Sequence, residues 1–273
     1  MSRLRPLRHV TFALGLAITL ALLATAALSL VYTPRDPLAM AGAARLQGPT
    51  AAHPFGTDQY GRDILSRVMA GAPTSIAVGV IAVSIGIAAG VALGLLSGWA
   101  GGWLDETAMR LVDAVQGFPA ILSALLFTAV FAPGIGVSMV AIGIAFVPAF
   151  ARLTRGSVLE LREREFVTAA RALGARDRRL VLRHILPNTV APLVVQATTS
   201  FPVAILAEAA LAYLGLGTQP PHPSWGLMLK EAQNFLSMNP WFAVFPGGAI
   251  ALAVLGLNLL GDGLRDLLDP KAA

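Results

Sequence analysis

Six stretches of this chain stay apolar for about the 20 residues that a helix needs to cross the roughly 30 Å hydrocarbon core of a bilayer, and nothing else in the sequence restricts its fold so strongly. Inside lipid every backbone N–H and C=O must be satisfied within the protein, which leaves helices and closed barrels as the only spanning structures. The runs lie at 10–31, 73–96, 111–132, 134–150, 189–214 and 241–260. Gly and Pro recur inside them, as membrane helices tolerate when neighbouring helices repair the backbone. Across the 273 residues 56% are hydrophobic and only 13% charged, a balance that a water-soluble domain would carry as a large bare apolar surface. The expected fold is an all-α integral membrane protein with six transmembrane helices.

A net charge of +5 would suit a nucleic-acid partner on a soluble domain, but these basic residues fall between the apolar runs and report topology instead. Arg3, Arg5, Arg8, Arg110, the arginines from Arg152 to Arg183, Arg265 and Lys271 fall on one side, against Arg35, Arg45, Arg62, Arg67 and Lys230 on the other. Basic residues are retained in the cytoplasm, so both termini are expected there. The expected plan is a cytoplasmic tail at 1–9, a first span at 10–31, an outer loop at 32–72, a core at 73–262 with five spans, and a cytoplasmic tail at 263–273. Within it, 151–188 forms a cytoplasmic loop and 215–240 an outer one, while Ile64, Leu65, Val68 and Met69 suit a short interfacial helix. Ala24, Thr25 and Ala26 look like a signal-peptidase site, yet the run is too long for an ordinary signal peptide and is expected to stay as a span. The chain has no Cys, which excludes disulfides and thiolate metal sites.

The stretch FVTAARALGARDRRLVLRHILPN, residues 166–188, breaks this apolar pattern with a cluster of arginines, one Gly and one Pro. Phe166, Ala169, Ala170 and Leu173 recur at helical spacing, edged by Glu163, Arg164, Glu165 and Arg171. Gly174 follows the last apolar position, where a left-handed residue ends a helix. Asp177 then caps a second short helix through Leu182, and Pro187 stops it before the next span. A helix, a tight turn and a second helix are expected to project on the cytoplasmic side, with a small-residue face open to close approach. Arg176, Arg179 and Arg183 form a stripe suited to lipid headgroups.

This arrangement resembles the EAA loop of binding-protein-dependent ABC importers, whose pattern is roughly E-A-A, three residues, G, nine residues, I-x-L-P. Ala169, Ala170, Gly174, Leu186 and Pro187 fall in register; Thr168 replaces the family Glu, and His184 the usual Ile. Three further stretches look like the dipeptide, oligopeptide and nickel permeases of that family: HPFGTDQYGRDILSRVMAGAPTS at 53–75, GGWLDETAMRLVDAVQGFP at 101–119 and EAALAYLGLGTQPPHPSWGLML at 208–229. The resemblance implies a type I importer permease fold in a bacterial inner membrane. It also implies partners: an ABC ATPase, a second homologous permease and an extracytoplasmic substrate-binding protein. Glu165, Phe166, Thr168, Ala169, Ala170, Arg171, Gly174, Arg178, Leu186 and Pro187 would couple the chain to the ATPase. The cargo would be a di- or oligopeptide, with glutathione or a nickel or other metal chelate as the alternative.

No phosphate-cradling loop accompanies either Lys230 or Lys271, so no cofactor is expected on this chain, and ATP with Mg belongs on the partner ATPase. Glu208 is the acid set deepest in an apolar run, which marks it for a gating or structural role. Trp225 and Trp241 suit interfacial anchors. His53, Asp58 and Asp63 lack the compact spacing of metal ligands. A secondary transporter would show internal repeats and midspan charges, and a channel a charged ring or filter loop; neither pattern is present. Nor does any clustered His, Asp or nucleophile pair point to a membrane enzyme.

Overall fold

The computed structural model describes residues 5–268, so Arg3 and Lys271 of the two tails lie outside it. Its helices are α1 (Arg5–Ser29), α2 (Ile64–Ala100), α3 (Gly102–Gly117), α4 (Ala120–Phe131), α5 (Ile135–Leu161), α6 (Glu165–Ala172), α7 (Asp177–Leu180), α8 (Leu186–Tyr213), α9 (Trp225–Ala232) and α10 (Trp241–Leu268). Among the described residues the β pairing is one isolated bridge between Thr57 and Asp63.

Among the described residues five helical segments are long and apolar enough to cross a membrane: α1, α2, α5, α8 with its α7 extension, and α10. The run at 111–132 is not one helix. Pro119 disfavours a helical conformation at the residue before it, and Phe118 is accordingly extended at φ −95° and ψ 134°. This divides the expected third span between α3 and the 12-residue α4, which at 1.5 Å per residue is about 18 Å long.

The second span starts earlier than the sequence implied. Asp63 caps α2, its carboxylate accepting from the Ser66 amide at 2.8 Å, and Pro73 is carried inside the helix. Ile64 is fully buried, so the expected interfacial helix is instead the opening of α2.

The centre of the molecule is the pairing of α2 with α5. Gly86, Gly90, Gly94 and Gly98 recur every fourth residue along one face of α2, which lets the two backbones approach closely. A Cβ on Gly90 would stand 2.6 Å from Cβ of Phe150, and one on Gly94 2.5 Å from the Ala151 carbonyl oxygen. Val78, Ala82, Phe150, Ala204 and Leu211 join α2, α5 and α8 in one core. Large apolar side chains such as Leu96, Val130, Val203 and Leu252 stay on the outside of the bundle, where a lipid-embedded chain needs them.

Candidate functional site

The candidate site is the elbow between α5 and α8. α5 outlasts its apolar part and continues to Leu161, so the first third of the expected loop at 151–188 is already helical. α6 then turns through eight residues with Glu165 in its first turn and Arg171 in its last, the signs that favour a helix dipole.

The apolar stripe of α6 stays largely open, as its small-residue face implies, and a residue outside the stripe packs the helix against its own chain. Val167 is fully buried, forming a cluster with Val158, Leu180 and Ile185 beneath Leu95, Trp99, Leu161, Ala170 and Ala175. Phe166 stays 43% exposed and Leu173 89% exposed, and Ala169 is exposed beside them. Ala170 alone of the four stripe residues turns toward the core. Apolar residues line two sides of this two-turn helix, so spacing could not decide which one seals.

Gly174 adopts φ 84°, the left-handed region expected of it. The Ala175 amide donates to the Ala170 carbonyl at 3.1 Å and the Gly174 amide to Arg171 at 2.9 Å, the paired bonds of a Schellman ending with Ala170 and Ala175 in apolar contact. Asp177 is not the cap of the next helix: it is the first residue of α7, and Arg176 precedes it without a side-chain cap bond.

Nor does Pro187 stop anything. A π-turn over Val181–Ile185 runs straight into α8, with the Leu186 amide donating to Val181, and the helical path from Asp177 to Tyr213 is unbroken. Pro187 sits in the first turn of α8, where the wider π-turn has already shifted the hydrogen-bond register past its missing N–H.

Charge is distributed loosely here. Arg164 pairs with Glu160 at 2.6 Å and Arg162 with Glu163 at 3.1 Å, both exposed, while the Arg171 guanidinium lies 5.5 Å from the Trp99 ring centre. Arg178 lines a cleft of about 260 Å³ with Leu95, Trp99 and Leu182. Glu165 and Thr168 are exposed. Leu186 is half-buried and Pro187 exposed. Behind the elbow, Arg155 makes two bonds to Asp105 at 2.6 and 2.7 Å, tying α5 to the first turn of α3. The Arg155 hydrogen bond holds the Asp105 carboxyl below the usual carboxylate range.

At the opposite end the polar residues are sealed in a cap. Arg62 pairs with Asp58, and Arg62 and Arg67 both reach Glu231 of α9, at 3.2 and 2.7 Å. His53 bonds Asp63 at 2.8 Å. Trp225 is a core residue and not an interfacial anchor: it is 1% exposed, and its indole N–H donates to the Val68 carbonyl at 2.9 Å. Trp241 remains partly exposed, stacked with Phe245. Glu208 is buried at the end of α8, with the Thr218 hydroxyl 3.5 Å from its carboxyl. Among the described residues no group of three or more His, Cys, Asp or Glu is placed to hold a metal.

The described fold is a bundle of membrane-length apolar helices with an exposed helical elbow at one end. Residues 90–273 match the family described as binding-protein-dependent transport system inner membrane component, and the chain belongs to that family. It is the non-catalytic permease subunit of an ABC importer, in which separate subunits hydrolyse ATP.

It is 46% identical over 227 residues to the dipeptide transport system permease protein DppC of Alkalihalophilus pseudofirmus, covering 83% of this chain and 75% of that one. A putative peptide transport system permease protein of Brucella abortus is 42% identical over 267 residues, 98% of this chain and 90% of that one. The glutathione transport system permease protein GsiD of Escherichia coli is 51% identical over 224 residues, 82% of this chain and 74% of that one. Among solved structures, the inward-facing MetNI methionine ABC transporter shares the fold at a TM-score of 0.61 and 18% identity, covering 73% of this chain and 94% of that one.

Proposed function

We propose that this chain forms half of a translocation pathway for short peptides, paired with a second, homologous permease, and is driven through its elbow by an ABC ATPase that carries ATP and Mg. The elbow then faces the cytoplasm together with both termini, and the cap faces an extracytoplasmic substrate-binding protein. α3 and α4 together make the sixth crossing.

One observation carries the coupling role. α6 is sealed to its own chain along Val167 and Ala170 and left bare along Phe166, Ala169 and Leu173, a surface ready for another protein. Glu165, Thr168, Arg171 and Arg178 rim that surface, where charges steer docking more than they add affinity. Leu186 and Pro187 begin the helix that carries the motion inward. The peptide assignment rests on the dipeptide, peptide and glutathione permeases that the chain resembles. Glutathione is itself a short peptide, so it falls within the same class.

The test is reconstitution in liposomes with both partner subunits and the binding protein, followed by uptake of a labelled dipeptide and of labelled glutathione. Uptake is expected only with ATP; uptake driven by a proton gradient alone would overturn the reading. Gly174→Val is expected to insert normally and lose ATP-driven uptake. A Cβ there meets no atom within 4 Å, so the substitution acts through the left-handed backbone, at roughly 1–2 kcal/mol, by reshaping the turn.

A further inference from the structure

Three hydroxyls from three separate segments converge on one buried carboxyl at the cap end of the bundle. Glu208, on the penultimate turn of α8, is 1% exposed. Ser75 of α2, Thr218 of the following loop and Ser224 before α9 all turn toward it, and each is no more than 4% exposed. Ser75 accepts from the Trp225 amide at 3.4 Å and Ser224 accepts from the Leu227 amide at 3.2 Å. The Thr218 hydroxyl donates to Glu208 Oε1 at 3.5 Å, while Oε2 is buried without a hydrogen-bond partner beside the Ser75 and Ser224 hydroxyls.

The backbones around this knot are in direct contact. A Cβ on Gly226 would stand 2.6 Å from Cα of Ala209, and one on Gly217 would stand 2.8 Å from Cα of Ala212. The last turns of α8, the loop and α9 consequently move together. α9 in turn holds the rest of the cap through Glu231, which binds Arg62 and Arg67. The same helical path begins at Asp177 in the elbow and runs 37 residues to Tyr213, roughly 55 Å at 1.5 Å per residue.

From this geometry we infer that Glu208 is a positioning residue of the transport cycle: it fastens the far end of the elbow's own helix to the cap, so that movement of the elbow repositions the cap and a partner on the cap is felt at the elbow. The inference rests on the coupling role proposed above. A linkage between binding equilibria runs in both directions, so binding at the cap and the nucleotide state at the elbow are coupled. Packing by Gly217 and Gly226 aligns the two pieces, and Trp225 ties α9 to α2 through Ser75 and Val68; Glu208 adds a polar point where α8 meets α2, the loop and the start of α9. Removing it takes away the acceptor of the Thr218 hydroxyl and empties the space between Ser75 and Ser224, which frees the cap to slide on α8.

The experiment uses the full complex in nanodiscs with its cognate binding protein loaded with a dipeptide. Wild type is expected to show ATPase activity stimulated by the loaded binding protein. Glu208→Ala is expected to keep basal ATPase activity and lose about fivefold or more of that stimulation. Glu208→Gln, which retains an acceptor oxygen, is expected to keep most of it. Thr218→Val removes the hydroxyl that bonds the carboxyl but leaves the carboxyl in place, and is expected to fall between, so the inference stays testable if the Ala variant does not assemble.

Because the chain has no Cys, a label pair at Asn234→Cys in the cap and Glu106→Cys on α3 reports the motion directly. Its distance is expected to change on ATP binding in wild type and to stay fixed in Glu208→Ala. Full stimulation and an unchanged distance response in Glu208→Ala would overturn the inference while leaving the coupling role standing. Equal loss of basal and stimulated activity in an assembled Glu208→Ala complex, or no rescue by Gln, would also overturn it. A wild-type complex without ATP-driven uptake would remove both.

Discussion

At the cap, Asp58, Arg62 and Arg67 are each at most 3% exposed and are paired with one another or with Glu231. At the elbow, Leu173 is 89% exposed, and Arg176, Arg178, Arg179 and Arg183 form no ion pair among the described residues. Both ends are rich in arginine, yet one has paired its charges within the chain, with only Arg67 Nε and Nη1 left without a hydrogen bond, and the other has not. Buried charge is tolerated only when paired and hydrogen-bonded, so the cap has to be complete on its own. Exposed charge carries no such demand, which leaves the elbow free to present its arginines to a partner or to headgroups. Under the proposed coupling role, the open elbow would take the push while the closed cap holds its shape.

The comparison is broken most severely at Asp58. Its carboxylate neutralises Arg62 and lies 3.5 Å from Arg67, and it also accepts the amides of Tyr60 and Arg62. Asp58→Ala leaves two buried guanidiniums sharing the single Glu231, and the expected loss is about 3–5 kcal/mol, read as a lowered unfolding midpoint in detergent. A shift no larger than that of a surface substitution would mean that the cap is wet and its pairing dispensable.

Next in size is Val167→Ala. This removes two buried methyl groups from the small cluster that seals the elbow, for roughly 2 kcal/mol. Local protection of the α6 amides from hydrogen exchange is expected to fall more than that of α8, because the cluster is the elbow's own. Equal loss in both would show that the elbow is continuous with the bundle core.

How much of this was readable from sequence differs between the two ends for a physical reason. Membrane helices announce themselves by length and hydropathy, so most spans, the elbow's helix–turn–helix and the left-handed Gly174 were legible. The break at Phe118 was visible as Pro119 within an apolar run, but a Pro inside such a run is equally compatible with a kink, as Pro73 in α2 shows. The cap was illegible because its pairs are remote: Arg67 and Glu231 are 164 residues apart, and no local pattern brings them together. Val167 escaped because a two-turn helix with apolar residues on both sides does not say which one meets its own chain. The glycines at 86, 90, 94 and 98 were missed although their four-residue spacing was plain; that spacing was signal enough to find the α2–α5 seam.

A smaller effect sits between the two ends. The folded-state pKa of Asp105 is depressed by its Arg155 partner, so the pair's contribution is fully present above the unfolded value near 3.9 and is lost as pH falls through the folded value. Both side chains are partly exposed, which limits the pair to about 1 kcal/mol. Asp105→Asn is expected to lower the unfolding midpoint slightly at pH 7 and to make no difference once the pH is below the folded value. A mutant penalty unchanged at acid pH would assign the effect to packing of α3 and not to charge.

The least effect on stability is expected at Leu173, and there the contrast between the two ends becomes sharpest. An 89% exposed side chain at the C-cap of α6 has almost no contact to lose, so Leu173→Ser is expected to change unfolding by no more than about 0.5 kcal/mol. If the bare side of the elbow is a docking surface, the same change removes a large apolar anchor from the partner's pocket, where truncations cost about 2 kcal/mol or more. The measurement is therefore a pair: an unfolding curve for the isolated subunit, and ATPase retention when detergent-solubilised complex is diluted. A variant stable alone but shedding its ATPase on dilution assigns Leu173 to the contact. A variant that keeps both would leave the exposed stripe without a partner, and an elbow whose apolar residues face only water would need some other reason to carry them.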